Sequence, residues 1–349
     1  MWWGEIVLDK LFEALYLKVL VNIVLKHTTT VVYIELCSKK GVVNSLHQEF
    51  ETTSLNNEMY EFITTYTRES PYYYVSLLDM SSYQGAVPTC SKNRIEYYAD
   101  LSTSEYKCYD DKWMFYTSKS DLYEIEAKCE DIGVDYIFSP FSIISTFFAD
   151  KIKSKLAMYI LIQDSFLSLS IFENSQLLYA NHLDMMSEDE VDEISLSEDL
   201  EDDLLIDAED SIELDDIDIP GHESEEADEL DDFGNIEDLD KIDDIDEFSE
   251  NKDIEEELLD SNSDVTQADD SKFNEDYQRF TLIQSAVGKF YKDDKYESRF
   301  IENVYIADYA GVTSDLKKYL EEEMFFNVYI RKIDLALEVC ELAKAELKL

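Results

Sequence analysis

Asp164 and Ser165 stand where residue type and spacing in this chain come nearest to chemistry. The run YILIQDSFLSLSIFENSQLLY, residues 159–179, reads as two strands folded back around a short turn that carries this pair. The alternation from Phe166 to Phe172 is that of a half-buried strand, and Glu173-Asn174-Ser175 then breaks it with turn-forming residues. An acid at such a tip can present backbone N–H groups and a metal-ligating carboxylate to a phosphate. It equally makes a solvated turn, so the surroundings must decide.

Little other chemistry competes. The four histidines, His27, His47, His182 and His222, form no HExxH or close metal spacing, and no GxSxG or Cys/His arrangement is present. Neither a catalytic residue nor a metal site is therefore expected. Five cysteines, Cys37, Cys90, Cys108, Cys129 and Cys340, are widely spaced, odd in number and without a CxxC pair, so no disulfide framework is expected and a reducing compartment is favoured. Glu5 and Asp9 precede the first lysine, which argues against a secretory leader, and no run of 18 apolar residues is present to span a membrane. These readings point to a cytoplasmic protein.

The elements that would position Asp164 surround an exceptional segment. The 349 residues carry a net charge of -51, yet Asp184 to Asp270 alone holds 41 Asp and Glu against Lys241 and Lys252, a net of -39. The flanks, with 27 basic and 39 acidic residues, are ordinary. Residues 186–272 therefore read as an acidic disordered insertion, in which Leu204, Leu205, Ile206, Ile212, Leu214, Ile217 and Ile219 alternate with acids in a composition suited to a partner's basic, apolar groove. Nucleic acid is not an expected partner of so acidic a chain.

Before the insertion, Met1 to Lys18 has a helical stripe of Trp2, Trp3, Ile6, Val7, Leu11 and Leu15. Strands Leu20 to Leu25 and Val31 to Leu36 flank Lys26-His27-Thr28-Thr29-Thr30; a helix over Asn57 to Thr67 and a strand Tyr72 to Leu78 follow. Strand Lys112 to Tyr116 leads into the capping-box spacing Ser118-Lys119-Ser120-Asp121 and a helix closed by Gly133, and strand Val134 to Phe138 into Ser139-Pro140 and a helix through Ile152. After the insertion come a helix striped by Tyr277, Phe280, Ile283, Val287 and Phe290, a strand Val304 to Ala307, a loop over Tyr309 to Ser314, a helix Asp315 to Phe325, a strand Asn327 to Ile330 and a helix Leu335 to Leu347. Strands alternating with capped helices predict an α/β layered architecture, in which residues 273–349 complete the core begun by 1–185.

Three stretches, KWMFYTSKSDLYEIEAKCEDIGVDYIFSPFSIISTFF, YILIQDSFLSLSIFENSQLLYANHL and DYQRFTLIQSAVGKFYKDDKYESRFIENVYIADYAGVTSDLKKYLEE, together with their order, resemble the actin-like ATPases of the PilM type, which share the fold of FtsA and of the cytoplasmic domain of GspL. The resemblance implies an actin-like, ribonuclease H-like fold of two subdomains, with residues 112–150 as the smaller one. It places a first phosphate loop at Thr28, Thr29 and Thr30, a second at Asp164 and Ser165, and an adenosine loop at Gly311 and Thr313. The motifs have degenerated: LKHTTTVVYIEL stands where the family reads like DIGSSSVKLVEL, QDSFLSLSIF lacks the glycine of the second loop, and the adenosine loop lacks its double glycine. Efficient hydrolysis of ATP is not expected.

The resemblance thus implies a cytoplasmic scaffold of a type IV pilus, type II secretion or DNA-uptake-like machine, recruited to the inner membrane by the short cytoplasmic tail of an inner-membrane assembly protein and touching an assembly ATPase. The expected docking surface is a groove beside the smaller subdomain, lined by Tyr136, Phe138, Phe141 and Ile144. Two rival readings remain: retained binding of ATP with magnesium around Asp164, Ser165, Gly311 and Thr313, and an acidic module that captures basic proteins.

Overall fold

The computed structural model describes residues 16–185, 268–296 and 299–349. Strand β1 (Lys18–Leu25) is buried on both faces, because KVLVNIVL offers each face branched apolar side chains. It pairs antiparallel with β2 (Thr30–Ser38), which β3 (Gly41–Phe50) extends to the sheet edge, and parallel with β4 (Tyr73–Leu78). The loop from β3 to β4 contains helix α1 (Asn57–Thr67), opened by the Asn56 side chain, which accepts from the Met59 N–H.

A separate small sheet follows. It consists of β5 (Gln84–Val87), β6 (Ser104–Tyr109) and β7 (Trp113–Ser118) in the order β5-β7-β6, with helix α2 (Lys92–Tyr98) between β5 and β6. Asp110 and Asp111, both with positive φ, turn β6 into β7. A Cβ at Gly85 would lie 2.5 Å from the Tyr116 hydroxyl, so any larger residue there must displace that ring. Trp113, 2% exposed, stacks on Tyr109 and meets the edge of Phe172, which docks the small sheet on the second half of the molecule.

Ser118 caps α3 (Lys119–Lys128), and Gly133, at φ +71, ends that turn with its N–H on the Cys129 carbonyl. Strand β8 (Tyr136–Phe138) then joins β4 in parallel and completes the first large sheet, β3-β2-β1-β4-β8. Ser139 and Pro140 start α4 (Pro140–Phe147).

The second large sheet repeats this plan. β9 (Ala157–Ile162), β10 (Phe166–Glu173) and β11 (Gln176–Asp184) form the antiparallel meander. β12 (Asn303–Asp308) and β13 (Asn327–Lys332) add in parallel beside β9, giving β11-β10-β9-β12-β13. An antiparallel three-strand meander with two parallel strands beside its first member, built twice in one chain, is a duplicated ribonuclease H-like, and hence actin-like, architecture.

Helices cover three faces. On the outside of the first sheet, Met59 and Ile63 of α1 and Ile125 of α3 pack against Val19, Val21, Ile34 and Leu77. On the outside of the second, α5 (Ala268–Lys292) and α6 (Ser314–Glu322) bury Phe280, Ile283, Phe290, Leu316 and Leu320 against Ile160, Leu169 and Ile306. Between the sheets lie α4 and α7 (Leu335–Leu347), and they are exchanged: α4, which follows the first sheet, packs on β9 and β10, whereas α7, which follows the second, packs on β1, β2 and β4. An ion pair fixes this crossing, since Lys344 Nζ on α7 lies 2.6 Å from Oε1 of Glu35, a 2%-exposed residue of β2 that also accepts from the Tyr33 hydroxyl and the Cys37 thiol.

Four expectations need correction. Residues 112–150 are not a unit of their own: β7 belongs to the small sheet, while β8 is the edge of the first large one, because the parallel pairing with β4 satisfies its backbone. Phe138, Phe141 and Ile144 are 6%, 1% and 0% exposed and lie in the apolar core between the sheets, with Tyr136 half-buried against it, so they cannot line an open groove. Cys90 and Cys108 are joined in a disulfide, with Cα atoms 5.7 Å apart, because the β5–β7–β6 pairing brings together two residues that spacing alone leaves unrelated. The helix through Ile152 ends at Phe147. The helix of 1–18 and the insertion of 186–272 fall largely outside the described residues; at their described ends, Lys18 already opens β1 and Ala268 already opens α5.

Candidate functional site

The β1–β2 turn is closed by the Lys26 N–H on the Thr29 carbonyl. Its hydroxyls are turned to internal use. Thr29 Oγ1 donates to Glu49 Oε1 at 2.7 Å and Thr30 Oγ1 to the Thr52 carbonyl at 2.6 Å, while Thr28 is exposed. Lys26 Nζ joins the same Glu49 oxygen at 2.9 Å and lies 5.2 Å from the centroid of the Tyr309 ring. Bonding from Thr29 and then Lys26 holds the Glu49 carboxyl below the usual range. Burial draws the Lys26 ammonium down, but its bonds to Glu49 and Tyr309 outweigh that and leave it raised.

The second tip closes as tightly. Gln163 donates its N–H to the Phe166 carbonyl and Met185 donates to the Ser165 carbonyl, leaving Asp164 exposed and Ser165 half-buried. The Tyr309 N–H donates to the Ile162 carbonyl, and the negative charge of Asp164 adds to burial in raising the Tyr309 hydroxyl. The structure therefore brings all three sequence-marked loops to one place, with Lys26 and Tyr309 as the contact across it.

At the third loop the backbone is already spoken for. Gly311, at φ +80, turns its N–H to Asp308 Oδ1 at 2.8 Å, and Val312 donates to both Asp308 oxygens at 3.1 and 3.2 Å. Thr313 gives its N–H and its hydroxyl to Asp276 Oδ2 at 2.8 and 2.6 Å, and the hydroxyl in turn caps α6 by accepting from Asp315. Asp276, fully buried, is paired through Oδ1 with Arg279 at 2.6 Å, and Arg279 reaches Glu275 at 3.2 Å. A succession of backbone N–H groups at a helix start is a phosphate cradle in principle. Here two carboxylates of the chain itself fill it. The loop that the resemblance assigns to adenosine therefore has its backbone donors bonded within the chain.

A buried polar cluster lies beside the Asp164 tip, where the Gln163 amide reaches Met80 Sδ at 3.1 Å. Asp79, 2% exposed, accepts from the N–H and hydroxyl of Ser81 and is raised by burial. The Gln84 amide donates to the Asp79 and Ser81 carbonyls and approaches the His182 ring, which faces Ser168 at 2.8 Å and stacks on Phe166. Burial pushes His182 down to about 4, so it is neutral near pH 7 and serves as a hydrogen-bonding core residue. A separate surface cavity of about 500 Å³ is lined by Tyr179, Asn181, Lys289, Lys292, Asp293 and Tyr296.

Sequence reading missed Lys26, Glu49, Asp276, Arg279, Asp308 and Tyr309. A signal existed for one pair: Asp276 and Arg279 are three apart on a helix whose neighbours Tyr277 and Phe280 are apolar, a spacing that joins their side chains. Among the described residues no group of His, Cys, Asp and Glu is placed to hold a metal ion, and no helix is long and apolar enough to cross a membrane.

The family described as Domain of unknown function (DUF8341) matches residues 158–348, more than half of the chain. The chain belongs to that family. A second, Domain of unknown function (DUF8569), matches residues 16–145, so the DUF8341 match opens at the second large sheet and the DUF8569 match takes in the first large sheet and the small one. No curated protein matches. Among solved structures, a PilM-PilN type IV pilus biogenesis complex is 10% identical over 91% of this chain and 89% of that one, with a TM-score of 0.44. MreB 5 of Spiroplasma citri bound to AMPPNP is 9% identical over 95% and 97%, at 0.41. A Bacteroides thetaiotaomicron protein with an actin-like ATPase fold and unknown function is 17% identical over 54% and 77%, at 0.35.

Proposed function

We propose that this chain is a nucleotide-independent actin-like scaffold: it keeps the two-sheet frame of an ATPase and works through protein contacts rather than hydrolysis. One observation carries the reading: groups that the resemblance assigns to a nucleotide are bonded within the chain, Thr29 and Thr30 to Glu49 and the Thr52 carbonyl, and the N–H groups of Gly311, Val312 and Thr313 to Asp308 and Asp276. The sequence resemblance to PilM-type proteins supplies the class of partner, an inner-membrane assembly protein of a pilus, secretion or DNA-uptake machine, with an assembly ATPase nearby and the cytoplasmic face of the membrane as the place of work. The partner's tail would meet a surface other than Phe138, Phe141 and Ile144, which are core.

Binding to the native state raises the melting temperature with the logarithm of ligand over dissociation constant. The expected result of a thermal-shift titration is no rise with ATP and magnesium up to millimolar concentration. A rise at micromolar ATP that disappears in Asp164→Ala would overturn the reading and restore the enzyme.

A further inference from the structure

We propose that Cys90 and Cys108 form a reversible thiol–disulfide site that controls how α2 is clamped against the second half of the molecule. Helix α2 has seven residues, a Ser91 cap without a side-chain bond, and a single buried residue, Ile95. So short a helix has little stability of its own and takes its order from its attachments. The bridge ties the chain just ahead of α2 to β6 on the small sheet, closing a sequence separation of 18 residues.

At the far end of α2 two tyrosines reach across. The Tyr98 ring lies 6.1 Å from that of Tyr296, which meets Tyr179 at 4.9 Å, and Lys295 Nζ lies 6.0 Å from the Tyr97 centroid. Tyr179 and Tyr296 also line the surface cavity between β11 and the end of α5. Order imposed at Cys90 is therefore passed along two turns of helix to one wall of that cavity.

Cys90 and Cys108 are half-buried, whereas Cys37, Cys129 and Cys340 are buried and free. The open state also has a place for its thiol: Cys90 Sγ lies 3.2 Å from the Trp113 carbonyl, an acceptor for S–H. The chemistry is two exchanges with a small-molecule disulfide of the glutathione type. One cysteine thiolate attacks that disulfide, forming a mixed disulfide and expelling one thiolate. The second cysteine then attacks the protein sulfur of the mixed disulfide and expels the other. Two protein thiols thereby lose two protons and two electrons, and the reagent is reduced to two thiols; a dithiol reductant runs the reverse course.

The test equilibrates the full chain in buffers of oxidised and reduced glutathione, counts thiols after acid quench and unfolding, and measures amide exchange in both states. Five thiols under reducing and three under oxidising conditions are expected, with a folded protein in each. Exchange in residues 92–98 and around Tyr296 should be about tenfold or more faster in the reduced form. Cys90→Ser and Cys108→Ser should each reproduce the reduced pattern in every buffer, and Cys129→Ser should leave the response intact. A thiol count that never changes, a bridge that opens only after unfolding, or equal exchange in the two states would overturn the proposal.

Discussion

Replacing Lys344 by methionine is expected to destabilise the protein by about 3–5 kcal/mol, lowering its melting temperature by roughly 10 °C. The methionine keeps the apolar stem but leaves the Glu35 carboxylate without its ammonium, among the side chains of β2 and α7. In the wild type, burial pushes Glu35 up, and the bonds from Lys344, Cys37 and Tyr33 overcome this and hold it below the usual range. Its contribution is thus complete above the ordinary carboxylate pKa and is lost as pH falls through the folded value. Lys344 is raised, so its share is complete below the ordinary lysine pKa and is lost only as pH climbs past the folded value. In Lys344→Met the burial effect is left opposed only by Cys37 and Tyr33, Glu35 takes up a proton more readily, and the gap to wild type should narrow on acidification. Glu35→Leu combined with Lys344→Met should recover much of the loss, because an apolar pair needs no desolvation. Melting curves of the wild type and the two variants between pH 4 and 9 would measure this; a gap that widens toward acid would show that Glu35 is not the group left unpaired.

Asp276→Ala is expected to cost a similar amount, again about 3–5 kcal/mol. It strands the Arg279 guanidinium, 3% exposed and with Nε already lacking a partner, on the exposed Glu275 alone, and it frees the N–H and hydroxyl of Thr313 at the start of α6. Asp276→Asn should fall between, since an amide oxygen still accepts from Thr313 but carries no charge toward Arg279. Urea unfolding midpoints would rank the three proteins. If the alanine variant lay within about 1 kcal/mol of wild type, Arg279 would be reaching water.

The sequence was most readable where local chemistry sufficed. Ser118, Ser139 with Pro140, and Gly133 mark element boundaries through bonds to near neighbours, and each stands at the expected boundary. The small sheet was harder, because QGAV is very short and SEYKCY exposes both faces over most of its length, so neither presents a period-two stripe. β3 escaped for a related reason: as an edge strand it is exposed from Gly41 to Ser45, and GVVNSLHQEF has no apolar face to declare. The site was legible only as three separate loops. Its deciding contact joins Lys26 to Tyr309, and its filled cradle depends on Asp308 folding forward onto its own loop and on Asp276 arriving from another helix. No periodicity encodes such meetings. Glu35 shows the converse failure: an acid in a strand reads as solvated, and only the approach of α7 makes it buried.

The exchange of α4 and α7 between the sheets sets a timetable for synthesis. β8, the last strand of the first sheet, is made roughly 200 residues before α7 emerges to cover that sheet, which at 5–20 residues per second is about 10–40 s. During that interval Leu20, Cys37 and Tyr74, which pack toward Cys340 in the finished protein, face whatever surrounds the ribosome. α4 waits as well, for β9 and β10, although much more briefly. Half a molecule cannot be finished ahead of the other half, because the inner face of each sheet is covered by the helix that follows the other.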